Sequence, residues 1–199
     1  GYLIYVGNGS SSTNQYNQSE PDNTKAGGYD IAASYSNGPI KGWVAYETQK
    51  SEVSNSNLHA WRVSGSYNMN PFKVGAIYEN VNADSNFMYG PQNAGYGDPI
   101  NRNAWGLFGM MNLGMNDIGV SYYNAQSSSA GSNNGADMWV LGAYHHFSKQ
   151  TSVYAMYASM NNDNNGLYAL GQGGHGQTIP VGTVGDNPSA FSVGFTHKF

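Results

Sequence analysis

The sequence has no cysteine, few charges and no long apolar run, and each absence removes a class of protein. Without cysteine there is no disulfide scaffold, no thiol catalysis and no Cys-ligated zinc. Lys, Arg, Asp and Glu together make up 10% of the 199 residues, where a soluble globular protein carries roughly 25%. The few charges sum to -4, and nucleic-acid binding, which needs a basic stripe, is not indicated. Nowhere do about 20 consecutive apolar residues occur, so a helical membrane span is excluded. Helical periodicity is missing as well. The chain opens on Gly1-Tyr2-Leu3-Ile4-Tyr5 without an initiator Met or an apolar signal segment, and reads as processed or incomplete.

What the chain has in quantity is tyrosine, glycine and small polar residues. Aromatics reach 14% with 16 Tyr, and there are 27 Gly. Nearly everywhere the pattern has period two. Tyr29, Ile31, Ala33 and Tyr35 alternate with polar or small neighbours, as do Ile40, Gly42, Val44 and Tyr46. The alternation continues through Trp61, Val63, Gly65 and Tyr67, and through Phe72, Val74, Ala76 and Tyr78. With further runs at 2–6, 102–113, 117–126, 137–147, 151–161 and 190–199, about ten strands of ~10 residues are expected, the length of membrane-barrel strands. In 138–144 and 153–158 both parities are largely apolar, and the outer face is undetermined there.

The connections alternate in length. Long polar stretches near 8–25, 51–57, 82–101, 127–136 and 162–188 are separated by tight turns near 37–39, 69–71, 114–116 and 148–150. A transmembrane antiparallel β-barrel imposes this pattern, with short periplasmic turns on one rim and longer extracellular loops on the other. All 199 residues then form one barrel domain. Tyr29, Ile31, Val63, Tyr67, Val74, Val193 and Phe195 are expected to face lipid or a neighbouring subunit. The charged alternates Lys41, Glu47, Arg62, Lys73, Glu79 and Arg102 are the candidate pore-lining residues, joined by Asp30, Asp117 and Lys198. Lumen charges of both signs would bias ion passage, or pair across strands and only support the wall. Other inward residues are mostly small (Ala32, Ser34, Ser64, Ser66, Gly75, Gly119, Ser121, Gly194 and Thr196), which suits a wide channel. All five long connections read as external loops, leaving none to narrow the pore.

Catalytic and ligand motifs are thin. His145 and His146 are adjacent on a strand and point to opposite faces, so they do not chelate one ion together. His59 and His175 lack a third ligand at suitable spacing. Gly171, Gly173 and Gly176 fit G-x-G-x-x-G but open no helix, and no Gly-x-Ser-x-Gly elbow occurs. No cofactor, metal or enzymatic activity is expected. Loop carboxylates Glu20, Asp22, Glu52, Asp84, Asp98, Asp163 and Asp186 read as solvating groups, with divalent-cation bridging to lipopolysaccharide the alternative.

The C-terminus is more specific. Phe191, Val193, Phe195, His197 and Phe199 alternate on one face and end in a terminal Phe. This resembles the last strand of the Gram-negative outer-membrane general diffusion porins. The turn at 147–158 is similar to that family's penultimate hairpin, and the glycine-rich 173–176 to its last extracellular loop. The resemblance implies an outer-membrane channel for ions and small hydrophilic solutes, built as a trimer of 16-stranded barrels in lipid and lipopolysaccharide. It also implies that Phe191, Val193, Phe195 and Phe199 form the signal read by the barrel-assembly machinery. Counted back from Phe199, this chain would supply the last ten strands or so. The family's constriction loop and N-terminal strands would then lie before Gly1. A smaller outer-membrane barrel with protease, lipase or adhesive function is the alternative reading.

Overall fold

The computed structural model describes residues 2–9, 27–50, 56–84, 101–129, 131–170 and 183–199. Ten antiparallel strands form one sheet in strict sequence order. They are β1 (Tyr2–Gly9), β2 (Gly28–Asn37), β3 (Ile40–Lys50), β4 (Asn57–Met69) and β5 (Phe72–Ala83), followed by β6 (Arg102–Leu113), β7 (Asn116–Ala125), β8 (Ala136–His146), β9 (Thr151–Asn162) and β10 (Ser189–His197). No pairing joins β1 to β10 among the described residues, so the sheet is open at both edges.

Turn chemistry sets the tight ends. Asn37 pairs with Ile40 and Leu113 with Asn116, which leaves two-residue loops at 38–39 and 114–115. Gly38 and Gly114 take the first loop position with φ of 53° and 72°, the left-handed conformation that twist-matched hairpins require there. The loop at 70–71 holds Pro71, where no backbone donor is needed.

Register converts the sequence alternation into two faces. Ile31, Tyr46, Trp61 and Asn80 stand in one cross-strand row, and Ala33, Val44, Val63, Tyr78 and Trp105 in the next. Ile118, Ala143, Ala155 and Val193 continue this face to β10. Its large side chains remain exposed, including Tyr29, Ile31, Val63, Tyr67, Val74, Val193 and Phe195. All seven residues expected to meet lipid or a neighbouring subunit therefore lie on it. The opposite face holds Asp30, Lys41, Glu47, Arg62, Lys73, Glu79 and Arg102, with the small residues Ala32, Ser34, Ser64 and Ser66 between them.

The two strands with ambiguous parity are resolved by their neighbours. Trp139, Leu141, Ala143, Val153, Ala155 and Tyr157 join the apolar face, while Met138, Val140, Tyr144, Tyr154, Met156 and Met160 fall on the inner one. The inward positions expected to be small lie on the inner face, Gly119 and Ser121 of β7 included, whereas β8 and β9 add bulky side chains to that face.

Candidate pore wall

All six expected pore-lining residues come to one face, on four adjacent strands: Lys41 and Glu47 on β3, Arg62 on β4, Lys73 and Glu79 on β5, and Arg102 on β6. Their environments differ. Arg62 and Glu79 are direct cross-strand partners. Arg62 donates from Nε to Glu79 Oε2 at 2.6 Å and from Nη2 to the same oxygen. Asp30 stands opposite Glu47 in register, a like-charge juxtaposition that destabilises strand pairing. A cavity of about 250 Å³ opens here, lined by Asp30, Trp43, Glu47, Arg62 and Glu79 among others. Lys73 places Nζ 5.8 Å from the centre of the Phe108 ring. Lys41 makes no ion pair among the described residues.

Arg102 is tied down from a distance. Its Nη1 donates to the Tyr168 hydroxyl at 2.6 Å, and its guanidinium lies 5.5 Å from that ring's centre. Tyr168 belongs to the connection between β9 and β10, so this loop reaches back to β6. Asn162, buried at the end of β9, holds it. The Asn162 amide accepts from Tyr168 N–H at 2.9 Å and donates to the Tyr168 and Asp186 carbonyls at 3.0 and 2.6 Å. Leu170, 6% exposed, then packs with Ala136 and Met160 against Met138, Ala158 and Ala190. Those are inner-face positions. Tyr168 and Leu170 therefore bend over the inner face, a reach that reading this connection as an external loop did not anticipate. The physical reason is the apolar upper wall of β8 and β9, which gives Leu170 a surface to bury against.

The inner face has two unlike arcs. Strands β2–β6 hold Asp30, Lys41, Glu47, Arg62, Lys73, Glu79 and Arg102. On β7–β10 the inner face carries the carboxylate of Asp117 and the imidazole of His146, which bond each other at 2.8 Å. His145 instead bonds Asn116 on the outer face at 2.8 Å, so the two neighbouring histidines do point apart. His59 contacts the Tyr46 hydroxyl at 2.9 Å. Among the described residues no group of three His, Cys, Asp or Glu is placed to hold a metal. His175, Gly171, Gly173, Gly176, Glu20, Asp22, Glu52 and Asp98 lie outside the described residues.

On β10, Phe191, Val193 and Phe195 project from the outer face with about two-thirds of their surface exposed. Phe199 follows just beyond the strand. Phe195 stacks on His197 at 6.4 Å, and His197 meets Phe199 edge-on at 4.9 Å. The four expected signal residues thus form one outward ladder beside an unpaired strand edge.

A family model described as Gram-negative porin matches residues 2–165. The chain belongs to that family. Solved structures share its fold. Outer-membrane-expressed OmpT of Vibrio cholerae is 15% identical with a TM-score of 0.65, covering 88% of this chain and 57% of its own length. A trimer form of the same Vibrio cholerae protein, folded in vitro, is 14% identical with a TM-score of 0.62, covering 98% of this chain and 64% of its own. This porin thus spans less than two-thirds of either neighbour. Curated protein sequences contain no match to it. It is an outer-membrane β-barrel protein of Gram-negative bacteria: one sheet face is apolar throughout its middle, as hydrocarbon requires, and the other carries the charged rows of β2–β6.

Proposed function

We propose that this porin forms the wall of a water-filled channel that passes ions and small hydrophilic solutes by passive diffusion, without catalysis or cofactor. The observation that carries this reading is the charged arc. Lys41, Glu47, Arg62, Lys73 and Glu79 share a face with small residues that leave space in front of them. A barrel filled by its own side chains would instead close this face with bulky, fully paired groups. Charges of both signs on a low-dielectric wall set a field across the lumen. The unpaired edges β1 and β10 support a reading in which the ten strands belong to a larger closed barrel, of sixteen strands as the resemblance implies. In that setting the protein works as a trimer surrounded by lipid and lipopolysaccharide. The outward ladder of Phe191, Val193, Phe195 and Phe199 serves as the segment engaged by the barrel-assembly machinery.

The test is single-channel recording of the full-length protein in planar bilayers. Ohmic, water-filled conductance is expected. Insertion without conductance, or hydrolysis of peptide or lipid substrates by the inserted protein, would favour the enzymatic or adhesive barrel instead.

A further inference from the structure

The uncharged arc bears on which solutes pass, and the inference rests on the channel reading above. Phe108, Tyr123, Tyr144 and Tyr154 all lie on the inner face of β6–β9. Tyr144 and Tyr154 are cross-strand partners with centroids 5.5 Å apart, at the level of Asp117. Phe108 lies level with Ser121, and Tyr123 with Met138. From Asp117 to Tyr123 the strand rises about 20 Å, so the rings are spread along much of the channel's length.

Three of these rings are seated in the same manner. Ring atoms of Phe108, Tyr123 and Tyr154 occupy the space where a Cβ would stand on Gly75, Gly106 and Gly194, their direct cross-strand partners. A ring laid across a glycine turns one face to the backbone and leaves the other to the lumen. Tyr123 and Tyr144 each keep more than a third of their surface exposed. Among the described residues, Leu170 covers the strip at its upper end, over Met138, Met160 and Ala158. Elsewhere Val140 and Met156 fill the intervals, and Ser121, Ser192 and Thr196 add hydroxyls. The nearby ionisable side chains are Lys73 over Phe108 and the mutually bonded Asp117 and His146 at the lower end.

Exposed aromatic faces are out of place on a wall that only conducts ions, since water hydrates them poorly. We infer that the strip of Phe108, Tyr123, Tyr144 and Tyr154 is a binding track for neutral carbohydrates. A pyranose ring has a flat C–H face that stacks on an aromatic ring, and a rim of hydroxyls that bonds to phenols and to Ser and Thr hydroxyls. Asp117 is bonded to His146 and Lys73 sits over the Phe108 ring, so the stretch between them presents a neutral solute with rings and hydroxyls rather than charge. Rings at successive heights give weak, repeated sites, the condition for entry and exit in a channel.

The experiment is current blockade of the full-length porin by maltotriose, compared with a polyethylene glycol of the same hydrodynamic radius. Maltotriose should produce a saturable reduction in conductance, and the polyethylene glycol should not. Y144A/Y154A should raise the half-blocking concentration about tenfold, equivalent to about 1.4 kcal/mol. Y144F/Y154F, which keeps the rings, should stay within about threefold of the wild type (~0.7 kcal/mol). F108A offers an independent position if the double alanine variant does not assemble, and should also weaken the block. Equal block by both polymers, no block, or a maltotriose block untouched by the alanine variants would overturn the track. A protein that inserts without conducting would refute the channel reading itself, which keeps the two failures distinct.

Discussion

Splitting the Arg62–Glu79 pair tests whether the charged arc acts on permeating ions. In the wild type the two charges share a hydrogen-bonded contact and nearly cancel at a distance. E79Q leaves Arg62 as an isolated cation on the wall. R62Q leaves Glu79 as an isolated anion. An ion passing about 8 Å from one uncompensated charge feels about 0.5 kcal/mol in water, cut to about 0.2 kcal/mol by screening at 0.1 M; anion and cation shift in opposite senses, so their permeability ratio changes by about twofold. E79Q should therefore raise the anion-to-cation permeability ratio about twofold, and R62Q should lower it by a similar factor. The double variant R62Q/E79Q should return close to wild type. Folding should suffer little, because Arg62 is about half exposed and such pairs contribute about 0–1 kcal/mol. The assay is the reversal potential of the full-length channel in a KCl gradient. Screening adds an internal control, because the Debye length falls from ~10 Å at 0.1 M to ~3 Å at 1 M. The shifts should appear at low salt and shrink at high salt. Equal reversal potentials for all four proteins at 0.1 M, or shifts that persist at 1 M, would refute the placement of this pair in the conducting path.

Other consequences are measurable in the same protein. V120R puts a charge on the middle of the outer face and should cost about 2–4 kcal/mol in denaturant-dependent folding into bilayers, whereas S121R, one residue along on the lumen face, should cost far less; equal costs would contradict the assignment of faces. G106V drives a side chain into the Tyr123 ring and should destabilise by about 1–3 kcal/mol, with recovery of most of the loss in G106V/Y123A, read by the same titration. N162A removes three hydrogen bonds that pin Tyr168 and Asp186; the amide of Tyr168 should then exchange with deuterium at least tenfold faster, and an unchanged rate would mean the loop is held by Leu170 and Arg102 instead.

The sequence alone disclosed most of the barrel because lipid and water impose opposite demands on alternate residues. Where the two parities differ, as in Tyr29–Tyr35 against Asp30–Ser36, the face of each side chain follows directly. The same logic located Lys41, Glu47, Arg62, Lys73, Glu79 and Arg102 on one surface. It failed for β8 and β9, where Met138 and Leu141 are equally apolar and period two has no contrast to display. The partnership of Arg62 with Glu79 was legible only as one of two options, since alternation fixes a face and leaves the cross-strand register open. The reach of Tyr168 to Arg102, 66 positions away, left no sequence signal. The glycine seats are likewise invisible until register shows Gly106 opposite Tyr123 and Gly194 opposite Tyr154.

For β8 a hydrophobic pattern with no contrast raises the question of what stops the strand slipping by one residue, since such a slip exchanges its faces. The polar groups at its two ends answer it. At the upper end, Asp137 Oδ1 accepts from the Tyr122 hydroxyl at 2.5 Å and from Asn124 Nδ2 at 2.7 Å. At the lower end, His145 bonds Asn116 and His146 bonds Asp117, each at 2.8 Å. A one-residue slip breaks all four contacts, each contributing about 0.5–1.5 kcal/mol, and more where a carboxylate accepts. It also carries Asp137 to the inner side and Trp139 off the outer face. The apolar middle is nearly indifferent to the slip, because Met138 and Val140 would suit lipid about as well as Trp139 and Leu141. The polar termini of β7 and β8 therefore choose the register that the middle leaves open. That choice turns Tyr144 inward beside Tyr154 rather than out to lipid, and so completes the uncharged arc of the wall.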